Sequence, residues 1–364
     1  MAPHAVMFIL TNMVKDKAIK LRRGWTTGAC ATAAVKAALI ALWSKEFPKS
    51  IEIFLPNGES PSFPLLNPKS GCDWTEVGIE KDAGDDPDVT HGCTVVARVS
   101  ESESGILFKA GSGVGTVTMA GLPVGVGEPA INPKPREMMA EVVYELSKIY
   151  NKKPNIKIVL SIPNGEIIAK KTWNPRLGII NGLSILGTTG IVRPFSCAAW
   201  IASIHRGIDV AREAKASHVA GCTGSTSERA VQKLYELPDY AMLDMGDFVG
   251  GMIKYLNTHP LPYVTIGGGI GKMTKFAFGA VDLHSKRSQV NFNWLSDVCK
   301  KANLPDVSSA KTTLDALEIA GNGLAELIAK MALIRLKELI RHPTTKCGIV
   351  IVNRNGKVLA EEKK

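Results

Sequence analysis

The chain has no C-x-x-C pair, no basic run of five or more residues, and few aromatics, only 6% of its residues. Each shortage excludes something. Its seven cysteines (Cys30, Cys72, Cys93, Cys197, Cys222, Cys299 and Cys347) are odd in number and scattered. That argues against a disulfide scaffold or a structural zinc, predicts no metal site, and points to a reducing cytoplasm. His91-Gly92-Cys93 lacks the partner pair that zinc requires. Spread cations without interleaved aromatics make nucleic acid a poor partner. No apolar run is long and charge-free enough to suggest a membrane span; Ala29–Trp43 comes closest, but it is short and rich in Ala. The opening MAPHAVMFILTNMVKDK has no basic segment ahead of its short apolar stretch, so it does not read as a signal peptide, and Met13 is an alternative start. G-x-S-x-G, H-E-x-x-H and the kinase motifs are missing as well. Oligomeric state is not legible.

What is present suggests two domains. The 364 residues are many for one core, and 45% are hydrophobic. Residues 15–150 alternate short strand-like runs with turns and end in an amphipathic stretch, 134–150. This predicts an α+β domain with a mixed or antiparallel sheet. Residues 151–364 begin with a strand at 155–163 and then alternate helices and strands. That rhythm predicts an α/β domain with a mainly parallel sheet.

The formal net charge is +10, so the partner should be anionic, and a small molecule bearing many carboxylates suits it. The stretch LRRGWTTGACATAAVKAALIAL (21–42) places Arg22 and Arg23 before a core-like helix. Thr26 or Thr27 can cap that helix, and its positive end would welcome an anion; an ordinary capped core helix is the alternative. Two glycine-rich loops, AGSGVGT (110–116) and IGGGIGKMT (266–274), miss required positions of dinucleotide and phosphate-loop motifs. Their backbone, including Gly267 and Gly269, remains free to touch a ligand. Gly221-Cys222-Thr223-Gly224-Ser225 sits between a predicted strand and helix, and Asp244 follows Gly221 by 23 residues (244 − 221). An acid about 20 residues beyond such a turn meets ribose hydroxyls in doubly wound folds. S-adenosylmethionine, which has no pyrophosphate, would not need the full glycine set; a plain strand-to-helix turn is the alternative. KDAGDDPDVTHG (81–92) reads as a solvated acidic turn. Lys134 and Arg136 ride on a Pro-rich loop suited to holding carboxylates. DLHSKRSQ (282–289) groups His284, a candidate for proton transfer, with Lys286 and Arg287.

LRRGWTTGACATAAVKAAL, KDAGDDPDVTHG, GSGVGTVTMAGLPVGVGEPAINPKPREMM, LGTTGIVRPFS and DLHSKRSQV occur in this order. Together they resemble the cobalt-precorrin-5B C1-methyltransferase family, CbiD, of cobalamin biosynthesis. The resemblance runs from about Leu21 to Asn291. It implies methylation of C1 of a corrin precursor by S-adenosylmethionine, and a Rossmann-like C-terminal domain. The substrate implied is an anionic tetrapyrrole fringed with acetates and propionates. On that reading Arg22, Arg23, Thr26, Thr27, Lys134, Arg136, Arg193, Lys286 and Arg287 face the substrate. Gly221, Gly224, Ser225, Asp244, Gly267 and Gly269 face the cofactor. His284 is the candidate base, with Asp82 as runner-up. Where many members carry a GHIGK-like stretch, this chain reads GGGIGK, with Gly268 in place of the His. A non-enzymatic tetrapyrrole carrier on the same fold is the alternative function; a phosphotransferase using the GSGVG loop is a weaker third.

Overall fold

The computed structural model describes residues 21–363. The readings of the opening segment, including Met13, lie outside the described residues.

A five-stranded sheet organises the first part. Its strands are β1 (Leu66–Ser70), β2 (Trp74–Glu80), β3 (Thr94–Glu101), β4 (Ile106–Ala110) and β5 (Ile156–Ser161), in the order β1-β2-β3-β5-β4. All neighbours are antiparallel except β5 and β4. Alternation along the strands decides the buried face. Val77 and Ile79, Val95, Ala97 and Val99, and Ile156, Ile158 and Leu160 point into one core. Across the other face Arg98 binds Glu76 at 2.8 Å and lies 4.1 Å over the Trp74 ring.

Two helices cover the core face, α1 (Thr27–Ser44) and α2 (Pro133–Ile149). Helix α1 alone is long and apolar enough to cross a membrane by length and composition among the described residues, but 78% of it is buried inside the protein. Its alanines leave little side chain between backbone and sheet, so the Thr75 hydroxyl donates to Ala38 O at 2.6 Å. Pro133 opens α2, where its missing N–H costs nothing.

Strand β5 corrects the expectation above. The sequence reading places residues 155–163 at the start of the second part, but the strand lies inside the first sheet, between β3 and β4. Its buried isoleucines fit under α1 and α2, and the first core continues to Ile191.

The second core runs from Ile204 to Ala360. Its sheet has the order β7-β6-β8-β9-β10, from β6 (Val219–Cys222), β7 (Met242–Leu243), β8 (Tyr263–Gly269), β9 (Lys346–Val352) and β10 (Val358–Lys363). The first four spatial neighbours are parallel and β10 is antiparallel. Six helices accompany it: α3 (Cys197–Glu213), α4 (Ser225–Tyr235), α5 (Val249–Leu256), α6 (Ile270–Phe278), α7 (Phe292–Lys301) and α8 (Thr313–Ala320). A seventh, α9 (Asn322–Leu339), follows and packs on α6 and β9. Near-continuous apolar strands such as Gly348–Val352, buried throughout, are what coverage on both faces demands. The protein is thus a mixed α/β fold, with both five-stranded sheets mixed in direction.

Candidate active site

The N-terminus of α1 is capped and covered. Thr26 Oγ1 accepts from Ala29 N at 3.1 Å. Thr27 Oγ1 accepts from Leu186 N at 3.0 Å, and Gly28 N donates to Leu186 O at 2.9 Å. Residues 186–190 therefore occupy the end of the helix that an anion would otherwise reach. Both threonines are buried. The anion-welcoming terminus expected from the sequence is filled by protein, and the capped-core alternative describes it.

The acidic stretch is a solvent-facing turn, as the sequence reading has it, and also a clamp. Asp82 pairs with the Arg22 guanidinium, and its Oδ1 accepts from Gly84 N at 2.9 Å. Asp85 Oδ2 accepts from Arg22 N at 2.6 Å. Asp86 Oδ1 accepts from Phe195 N at 2.8 Å. Asp88 binds buried Lys81 at 2.6 Å and the Thr90 hydroxyl at 2.6 Å. The Arg22 guanidinium holds the Asp82 carboxyl below its ordinary value, which makes Asp82 a poor proton acceptor.

A short antiparallel bridge pairs Gly24–Trp25 with Ile191–Val192. The RRGW, acidic and GTTGIVRPFS stretches thus meet at one place. The Pro-rich loop meets them from the side: Gly28 has room only for hydrogen against Pro135, where a Cβ would come within 2.8 Å. Arg136 spends its fork on its own loop, on Ile131 O at 2.8 Å, Pro129 O at 3.1 Å and Glu128 at 2.8 Å. Lys134 pairs with Glu137 at 2.9 Å. Arg23 pairs with Glu59 at 2.9 Å. Arg193 and Lys286 are exposed. Neither joins an ion pair among the described residues.

The last motif arrives from the second core. Arg287 pairs with Asp282 at 2.6 Å and points Nη2 at Cys197 Sγ, 3.2 Å away, at the start of α3. His284 Nδ1 accepts from Lys286 N at 3.2 Å, so the neutral ring carries its proton on Nε2. Buried Lys275 anchors this loop by donating to Leu283 O at 2.6 Å and Ser288 O at 3.1 Å.

One turn into α3, Trp200 Nε1 donates to Asp244 O at 2.9 Å. That contact leads to the carboxyl ends of β6, β7 and β8. Lys272, in the first turn of α6, bridges Thr223 O at 2.9 Å and Asp247 at 2.9 Å. Neither α4 nor α6 has a side-chain cap. Their first N–H groups are the orphan donors of a helix start. The glycines here divide into two kinds. A Cβ at Gly221 would come within 2.4 Å of Met252 Sδ, and one at Gly267 within 2.6 Å of Val231. A Cβ at Gly224 would meet nothing within 4 Å, and one at Gly269 would find only Val352 O at 4.0 Å. The φ angles, 171° and −75°, suit any residue. A Cβ at 221 or 267 must push buried side chains aside, whereas one at 224 or 269 has room. Gly221→Ala should therefore lower the melting temperature by several degrees, at a cost of roughly 1–3 kcal/mol from overpacking. Gly224→Ala should melt like the parent, and thermal denaturation of both variants checks this.

The Asp244 carboxyl is pushed up to about 7, first by burial and then by the Glu228 charge, against the opposing pull of Arg176. Arg176 pairs with Glu228 and stacks 4.8 Å over Trp173. Trp173, Arg176, Ser203, Tyr240 and Asp244 line a cavity of about 10 Å³, room for one water. Trp173, Arg176, Trp200, Glu228, Lys272 and Phe195 escaped the sequence reading. A WNPR turn and an aromatic one turn into a helix carry no motif, so only position brings them here.

The CbiD family matches residues 14–194, and the CbiD C-terminal domain matches residues 282–363. A cobalt-precorrin-5B C(1)-methyltransferase of Brucella anthropi is 53% identical over 360 residues, 96% of this chain and 98% of that protein. One from Paramagnetospirillum magneticum is 51% identical over 349 residues, 94% and 98% of the two chains. A crystal structure of the cobalamin biosynthesis protein cbiD of Archaeoglobus fulgidus is 29% identical, covering 69% of this chain and 77% of that one, with a TM-score of 0.40. By the extent of these matches, the chain belongs to the CbiD family.

Proposed function

We propose that this chain transfers a methyl group from S-adenosylmethionine to C1 of cobalt-precorrin-5B, giving cobalt-precorrin-6A. The names of relatives more than half identical over nearly the whole chain support the reaction. The observation that carries it in the structure is the Trp200–Asp244 link. It joins the face that carries exposed Arg193 and Lys286 to the carboxyl end of a parallel sheet, where doubly wound folds bind ligands. We read the second part as Rossmann-like, and we divide the two domains within residues 192–203, between the cores. The seven free thiols suit a cytoplasmic setting.

The residues offer the polar groups the cofactor needs, although the cavity that Asp244 lines has room for only one water. The ionised Asp244 carboxylate would accept from ribose hydroxyls. The open backbone at Gly224, Ser225 and Gly269, with the uncapped starts of α4 and α6, would hold the methionyl carboxylate. Gly221 and Gly267 serve by packing behind them. When bound, S-adenosylmethionine supplies an activated sulfonium methyl, so the protein needs no nucleophile of its own. Its residues orient both partners in line and exclude water. Arg22, Arg23, Arg193, Lys286 and Arg287 hold the carboxylate fringe. Thr26, Thr27, Lys134 and Arg136 shape the wall behind them. Asp82 keeps Arg22 in place. To act as a base, His284 must release the Lys286 N–H and take the proton at Nδ1; otherwise it orients the substrate through Nε2–H.

Calorimetric titration with S-adenosylhomocysteine tests this reading, with ATP-magnesium as control. We expect saturable binding in roughly the micromolar range and none for ATP-magnesium. No binding of S-adenosylhomocysteine, even with a polycarboxylate corrin present, would leave a tetrapyrrole carrier.

A further inference from the structure

Phe195 has a φ of 55°, in the left-handed region that bulky side chains avoid, and its side chain is 66% exposed. It precedes Ser196, the cap of α3, whose hydroxyl accepts from Ala199 N at 3.3 Å. A hydrophobic residue at that position ordinarily folds back onto the fourth helical residue, here Trp200. That packing is not made. Trp200 is 45% exposed and pairs instead with Phe248, their ring centroids 6.1 Å apart. Phe195 joins none of the buried clusters.

The unfavourable backbone is held from outside. Asp86, 109 residues away, takes the Phe195 N–H at 2.8 Å. The pairing of Val192 with Gly24 fixes the chain just before it. An unrewarded conformation, fixed by a carboxylate from another motif and turning a large ring to solvent, is the pattern strain takes at functional sites. The surrounding charge indicates what covers the ring. Arg193 is exposed two residues before it, and Arg287 reaches Cys197 two residues after it. Arg287 is paired with Asp282, and Asp86 is occupied by the Phe195 N–H, so the cation left open beside the ring is Arg193. An exposed ring next to an open guanidinium fits a planar apolar face with a carboxylate rim.

We infer that Phe195 is a stacking platform for the macrocycle of the substrate, and that Asp86 is the positioning residue that turns its ring outward. This rests on the tetrapyrrole reading above. It separates two tasks: the cations take the rim, and Phe195 sets the plane of the ring relative to the methyl donor.

The test uses the full chain and cobyrinic acid, a cobalt corrin with free carboxylates, with binding followed by quenching of tryptophan fluorescence. Phe195→Gly should bind it about tenfold more weakly, the loss of one stacked aromatic. Its melting temperature should hold or rise, because glycine suits this backbone. Phe195→Tyr should bind like the parent. Asp86→Ala should weaken corrin binding with Phe195 still present, and S-adenosylhomocysteine should bind all the variants alike. Unchanged corrin binding in Phe195→Gly overturns the platform. A clear fall in its melting temperature overturns it too, by making the ring a packing element. Failure of the parent chain to bind cobyrinic acid overturns the tetrapyrrole reading itself, and the platform with it.

Discussion

Asp244→Asn should make the fold more stable at pH 8 and the proposed cofactor site much weaker. The two effects have one cause. Burial and the Glu228 charge push the Asp244 carboxyl from an ordinary 3.8 up to about 7. In the unfolded chain the group ionises near its ordinary value. Below that pH both states hold the proton and no penalty exists. As pH rises toward 7, the unfolded chain releases its proton while the folded chain keeps it, and stability falls. Above 7 the folded protein carries the full cost of a half-buried charge. The asparagine removes that cost, so its gain should grow between about pH 4 and 7 and then level, at roughly 1–3 kcal/mol. Thermal melts at pH 4, 6 and 8 follow it, and a melting temperature lowered at pH 8 would mean that Asp244 supports the fold. Binding runs the other way. On the proposed reading the Asp244 carboxylate accepts from the ribose hydroxyls, and losing it should cost roughly 30- to 100-fold in S-adenosylhomocysteine affinity. In the parent chain, affinity should fall as pH drops below 7, because a protonated carboxyl accepts poorly. Binding indifferent to both the pH and the substitution would move the cofactor elsewhere.

Helix α1, the Ser196 cap and the strand–helix rhythm after residue 217 were legible because their signals are local. A polar cap beside a helical apolar run, or a glycine turn after an apolar run, is written within a few residues. Strand β5 was legible as a strand but not as a member of the first sheet. Alternating Ile156, Ile158 and Leu160 would pack equally well under any apolar helix pair, and pairing with β3 and β4 is set across about fifty residues of chain or more. The clamp made by the acidic turn was hidden for a similar reason. Four aspartates around a glycine look solvated until their partners are known, and those are Arg22, Lys81 and Phe195. The site residues divide the same way. Asp244 could be proposed from its offset to Gly221. Arg176 and Glu228 set its charge environment from positions 52 residues apart, and nothing local marks either.

Gly24→Ala and Gly84→Ala should each cost more than about 3 kcal/mol, at the severe end of what a single methyl does. A Cβ on Gly24 would lie 2.1 Å from Ala83 C and 2.4 Å from Asp82 O. One on Gly84 would lie 2.2 Å from Arg22 O, and Gly84 also has a φ of 69°. Every atom struck is backbone, so no side-chain rotation relieves the contact. The backbones are this close because they are bonded: Trp25 N donates to Asp82 O at 2.7 Å and Asp85 N to Arg22 O at 2.9 Å. Forcing them apart breaks these bonds, releases Arg22 from Asp82 and Asp85, and frees Asp86 from Phe195. The proposed substrate wall should come apart while the second core stays intact, since none of these contacts belongs to it. Cobyrinic acid binding should therefore fall by about 100-fold or more, with S-adenosylhomocysteine binding kept within about twofold. Calorimetry on both variants, at a temperature where circular dichroism shows them folded, separates the cases. Loss of both ligands would mean that the clamp supports the whole molecule. Loss of corrin alone would mean that two motifs sixty residues apart are joined, backbone to backbone, to build one wall of the site.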